Sequence, residues 1–191
     1  MKPVAAIVEP ANARHGKATP PWGTPAEWVE MSRVALGGRI DLDPMSEASF
    51  QRVVRAERFY TEKQDAFRQS WACETMLLNA AGCSYGALVK AWRMLAGSWW
   101  TGIVQRAIWI GFAVDQLNVL ADEPFHPDDF SKLTVRKRIS FVRHDGYEGS
   151  PSHANYVVGI GVDRRLFESA FAGRGRISHG KHATRHETPN T

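Results

Sequence analysis

Two polar residues stand where a short apolar run stops. Asp43 closes Ile40-Asp41-Leu42, and Asn79 closes Met76-Leu77-Leu78. An apolar run that ends on a polar side chain is what a buried parallel strand looks like when it delivers a group to the carboxyl edge of a sheet, where α/β proteins bind ligands. A carboxylate there can accept from the amino group or ribose hydroxyl of a nucleoside, and an Asn amide both donates and accepts. Asp65, further along, is a second acidic candidate for such a cradle. Each aspartate has a plainer alternative as a helix cap or turn residue. Asp43-Pro44 followed by Ser46 equally describes a strand-to-helix turn that Ser46 caps.

Other chemistries lack their residues. There is no phosphate loop of the Gly-x-x-x-x-Gly-Lys-Ser/Thr type and no Gly-x-Gly-x-x-Gly turn. Gly159-Ile160-Gly161 falls at the end of an apolar run and reads as close packing or a turn. Cys73 and Cys83 are too few for a disulfide framework, and no Cys/His spacing suits a tetrahedral metal. Lys132, Arg136, Lys137, Arg138 and Arg143 lie within one short stretch without an intervening acid. Such a cluster can track phosphates, or simply keep a strand edge or loop solvated.

The elements that must position these groups follow from periodicity. Ala26 to Leu36 places Trp28, Val29, Met31, Val34 and Leu36 at helical spacing, with Pro25 in a first-turn position. Strands are expected over Ile40 to Asp43, Met76 to Asn79, Arg106 to Ala113, Ile139 to Arg143 and Asn155 to Ile160. Helical segments are expected over Ala48 to Arg55, briefly over Asp65 to Trp71, and over Tyr85 to Leu95 with Gly97 as its stop. Strands alternating with helices imply an α/β sandwich around a mostly parallel sheet. Trp92, Trp99, Trp100 and Trp109 read as helix-to-sheet packing, with Trp99-Trp100 partly exposed.

A chain of 191 residues with 43% hydrophobic content suits one globular domain. We place a flexible leader at 1–21, the domain at 22–173 and a basic disordered tail at 174–191. The tail holds three of the seven histidines, at irregular spacing, which favours a solvated segment over a metal site. No apolar run is long enough to span a bilayer and no signal peptide is evident, so a cytoplasmic protein without membrane or metal partners is expected. The net charge of +4 points toward a polyanion.

The order of the motifs resembles the phage-type DNA adenine-N6 methyltransferase (Dam) family. Trp22-Gly23-Thr24-Pro25 precedes a helix and Ile40-Asp41-Leu42-Asp43-Pro44 closes a strand. Then come Phe59-Tyr60-Thr61, Gln64-Asp65-Ala66-Phe67 with Trp71, and Leu78-Asn79. The likeness continues through Arg138-Ile139-Ser140-Phe141 and Ser150-Pro151-Ser152-His153, covering about residues 22 to 161. It implies a class I methyltransferase-like (Rossmann-like) α/β sheet, S-adenosylmethionine as cofactor, and double-stranded DNA in a phage-infected bacterial host as substrate. By the same resemblance, Trp22, Thr24 and Pro25 contact the methionine end of the cofactor. Asp43 and Pro44 lie beneath it, and Asp65 meets the adenine amino group. Lys132, Arg136, Lys137 and Arg138 face the DNA backbone.

The family places Asn-Pro-Pro-Tyr or Asp-Pro-Pro-Tyr after the strand; this chain has Asn79-Ala80-Ala81-Gly82. Amino methylation needs two acceptors on the exocyclic nitrogen, the Asn79 oxygen and the Ala80 carbonyl. Without the prolines the loop loses its fixed φ, and Gly82 gives an extruded base no ring to stack on, an interaction worth about 1 to 3 kcal/mol. Tyr85 is the candidate substitute. Two functional expectations follow: an adenine-N6 methyltransferase, or a descendant that keeps the fold and DNA binding as a regulator, decoy or protective coat without turnover. A third is an enzyme retargeted to another amino substrate. A retained cofactor cavity favours the enzymes, and a cavity filled by side chains favours the second.

Overall fold

The computed structural model describes residues 22–80, 84–111, 118, 120–149 and 155–182. The expected leader, Ala81-Gly82, the Ser150-Pro151-Ser152-His153 turn and the end of the chain lie outside them.

The first helix, α1 (Ala26–Ala35), buries Trp28, Val29, Ser32 and Ala35, a stripe with the spacing of one helical face. Ser32 returns its hydroxyl to the Trp28 carbonyl at 2.7 Å, so the stripe contains no orphaned donor. Pro25 occupies the N-cap position, and no side chain caps this end. The helix stops in a Schellman turn: Gly38 N–H donates to Arg33 O and Gly37 N–H to Val34 O, with Gly37 at φ +89° as the left-handed position requires. Gln51–Val54 forms the short α2. α3 (Tyr85–Trp100) is capped by the Ser84 hydroxyl, which accepts from Ala87 N–H. It continues through Gly97, the expected stop, because Ala96 and Trp99 on either side are buried against the sheet and their packing outweighs the ~1 kcal/mol that a mid-helix glycine costs. The last helix is α4 (Arg164–Ala170).

Ten strands lie among the described residues: β1 (Trp22–Gly23), β2 (Leu42–Asp43), β3 (Arg58–Phe59), β4 (Cys73–Asn79), β5 (Val104–Gly111), β6 (Ser131–Val135), β7 (Phe141–Arg143), β8 (Glu148–Gly149), β9 (Tyr156–Ile160) and β10 (Gly175–His179). Seven form one sheet in the order β10-β6-β9-β5-β4-β2-β3. Its core β3-β2-β4-β5 is parallel, while β9 and β10 run antiparallel to their neighbours. The sheet is therefore mixed with a mostly parallel core, and compatible with a Rossmann-like fold. β7 lies apart from it, between β1 and β8 in a small antiparallel sheet.

Alternation along the central strands feeds two cores. Met76, Leu78 and Trp109 face α3, where Trp92 meets Trp109 edge-on at 5.5 Å. Leu77, Ile108 and Ile110 face α1 and α4, with Trp28, Phe167 and Phe171. Gly159 lets the Phe167 ring lie against β9, since a Cβ there would sit 2.6 Å from it. Gly161 turns the chain at φ +65°.

The boundary placed at Gly173 is corrected. Residues 175–179 form β10, fully paired with β6. The stretch reads as a tail because Arg, Ser, His and Gly dominate it. As an edge strand it needs backbone hydrogen bonds more than an apolar face.

Candidate functional site

β2 and β4 are parallel neighbours, so their carboxyl ends bring Asp43 and Asn79 to the same edge. Both are nearly closed to solvent, at 4% and 8% exposure. Trp22 and Thr24, half-buried and buried respectively, join them around one small cavity, together with Ser46 and Phe50. Four residues singled out in the sequence, the outermost 57 positions apart, thus converge. The Asn79 amide donates to the Trp22 carbonyl at 3.3 Å. Pro44 and Ala80 follow directly behind and are buried.

The Asp43 carboxylate is held by a residue that sequence reading missed. Gln51 of α2 donates from Nε2 to Asp43 Oδ2 at 2.9 Å and to the Ser46 hydroxyl at 2.8 Å, while its Oε1 accepts from Ala56 N–H. A glutamine eight residues past an aspartate has no periodic signature, so nothing in the sequence marks it. Burial pushes the Asp43 carboxyl up from 3.8 to about 6, against the opposing hydrogen bonds from Ser46, Gln51 and the Met45 N–H. Asp43 is thus mostly ionised at neutral pH at a cost of about 3 kcal/mol. An aspartate kept charged against desolvation at a strand end marks a candidate functional site.

The donor set suits a nucleoside cofactor; the volume does not. The cavity measures about 10 Å³, roughly one water molecule, where small-molecule sites span about 300–1,000 Å³. Asp65 is also absent from its lining. It is exposed, at φ +50°, and caps its own short helix by accepting from Phe67 N–H at 3.1 Å. The local turn claims this carboxylate because a residue in that conformation can close the ring to the amide two positions on. Tyr85 opens α3, but its side chain lies outside the described residues.

Pro25 lines a different space. A groove of about 590 Å³ runs between the start of α1 and the loop after β6, edged by Arg136, Lys137, Arg138 and Arg174. Arg136, Lys137 and Arg138 are exposed and make no ion pair among the described residues. Lys132 does not join them: on the body of β6 it pairs with Asp128 and lies over the Tyr156 ring. Four residues upstream of the loop, it points along the sheet face instead of over the edge. Arg143, likewise, is paired with Asp145 at 2.8 Å.

Two further arrangements resemble active chemistry and are structural. Ser131 Oγ lies 2.9 Å from His179 Nδ1, and His179 Nε2 lies 2.8 Å from Glu168. Ser131 is wholly buried, so no substrate reaches its hydroxyl; the chain of bonds fastens β10 to β6 and α4. Gly175 to Lys181 has the glycine spacing of a phosphate loop, but its first five residues are β10 and His182 stands where Ser or Thr is needed. Among the described residues no group of His, Cys, Asp and Glu is gathered to hold a metal, and no helix is long and apolar enough to cross a membrane.

No family model, no curated protein and no solved structure shows a match to this chain.

Proposed function

We propose that this chain is a DNA adenine-N6 methyltransferase of the phage type, acting on double-stranded DNA with S-adenosylmethionine as methyl donor. The observation that carries the reading is the convergence of Asn79, Asp43, Trp22 and Thr24 at the carboxyl edge of parallel strands. Asn79, anchored through its donor end, offers its oxygen to an exocyclic amino group, and the Ala80 carbonyl is the second acceptor. Asp43 supplies a buried negative charge beside that position. A bound S-adenosylmethionine would supply an electrophilic methyl group. Its entry requires the side chains around the 10 Å³ cavity to move aside.

A second reading has its own observation. A cavity with room for a single water, and an Asp65 that caps its own helix, favour a DNA-binding protein of this fold without turnover. Calorimetric titration with S-adenosylmethionine, then a labelled-methyl assay on unmethylated DNA, separates the two. Saturable binding that Asp43→Ala abolishes, with label entering DNA, supports the enzyme. Absence of binding leaves the DNA-binding reading.

A further inference from the structure

The groove beside α1 is built differently from the cavity around Asp43. Its basic wall is rigid: Arg136 N–H donates to the Arg174 carbonyl at 2.8 Å, Val135 N–H to the Asn155 carbonyl at 3.2 Å, and Ile139 N–H to the Asn155 side chain at 2.7 Å. Asn155 and Ile139 are buried. The backbone of the loop is therefore fixed at both ends, while three consecutive cations project into solvent with no ion-pair partner among the described residues. Glu148 also borders the groove but pairs with none of the three. Adjacent like charges repel, and an arrangement that holds them together is stabilised by an anion placed between them.

The groove holds one more cation, already engaged. Arg174 pairs with Glu27 at 3.1 Å and lies over the Trp28 ring. Both partners of this pair are well exposed, so it is weak and open to competition from a stronger acceptor. Position matters too. Trp22 and Thr24 border the Asp43–Asn79 cavity and Pro25 borders the groove, so one short segment separates the two along a single edge of the sheet.

We infer that this groove is a phosphodiester-binding site for DNA, in which Arg136, Lys137 and Arg138 hold the backbone and Arg174 leaves Glu27 to complete the grip. The inference deepens the DNA-binding part of the function proposed above and rests on it. It adds Arg174 and Glu27 as a competing pair that sets affinity, and it removes Lys132 from the interface. Glu27 acts as an internal mimic of the phosphate: every DNA molecule that enters must displace it.

The test is fluorescence anisotropy of a short labelled DNA duplex over a range of salt, with the full chain. Replacing Arg136, Lys137 and Arg138 together by Ala weakens binding at least ~10-fold and flattens the dependence of log K on log salt by about 2 to 3, near one for each phosphate no longer neutralised. Glu27→Gln acts in the opposite direction, tightening binding ~3-fold by freeing Arg174. Unchanged affinity and slope in the triple variant, or weaker binding by Glu27→Gln, overturns the site. Competition by an RNA duplex as strong as by DNA overturns the choice of partner. Titration of the wild-type chain with S-adenosylmethionine keeps the two ideas apart: DNA held in the groove without cofactor binding leaves this site standing and sinks methyl transfer, and the reverse pair of results does the opposite.

Discussion

Asp41 and Asp43 are two residues apart on one chain segment and meet opposite surroundings. Asp41 accepts from the N–H groups of Glu74 and Thr75 at 3.0 and 2.9 Å and pairs with Arg39, which with Arg106 also engages Glu74. That end is a closed ion network, every charge answered by another. Asp43 has only neutral partners, Gln51, Ser46 and an N–H. The same side chain fastens two strands at one end and carries an unneutralised charge at the other. Surroundings, rather than residue type, separate a structural carboxylate from a candidate functional one.

The largest expected effect falls on the candidate functional end. On the proposed methyl transfer, Asn79→Ala removes an acceptor from the amino nitrogen and lowers methyl incorporation at least ~100-fold, the scale of a misplacement by about one ångström. A labelled-methyl assay reads this, and undiminished incorporation would show that Asn79 is only a strand terminus. The second effect is on stability. A folded-state value near 6 against 3.8 means that the folded protein binds the proton more tightly. The Asp43 contribution is therefore present below about pH 4 and lost as pH rises through 6. Asp43→Asn is expected to raise stability by up to about 3 kcal/mol at pH 7.5 and by almost nothing at pH 4, in urea unfolding at both values. An equal gain at both pH values would mean that charge is not the cause.

The other aspartate answers with the opposite sign. Asp41→Ala leaves the buried Thr75 N–H and the part-buried Glu74 N–H without their acceptor and destabilises by about 2 kcal/mol; a neutral result in the same unfolding experiment would collapse the contrast. Smallest is Glu30→Ala, which removes exposed pairs with Arg33 and Arg55 and shifts stability by about 0.5 kcal/mol or less.

Much of this frame is legible in the sequence for a physical reason. Ile40 to Asp43 and Met76 to Asn79 are buried on both faces, so their apolar runs and polar ends are unmistakable, and α1 shows its stripe. What escapes reading is decided by partners distant in sequence. β10 is polar and forms because β6 offers it an edge. β7 leaves the main sheet to pair with β1, at the far end of the described chain. A motif predicts Asp65 at a cofactor, whereas its conformation ties it to Phe67. Gln51 and the Glu27–Arg174 pair join separate elements, which no local pattern records.

The pairing of β10 with β6 has a consequence for biosynthesis. Arg174 and the strand after it are made well after the loop whose Arg136 they hold in place. During translation the basic loop therefore exists before its fastening does, and β6 waits as an open edge. On the proposed DNA-binding reading, emerging chains engage nucleic acid loosely or not at all until β10 has been made and has paired with β6, which couples the grip to the formation of that pairing.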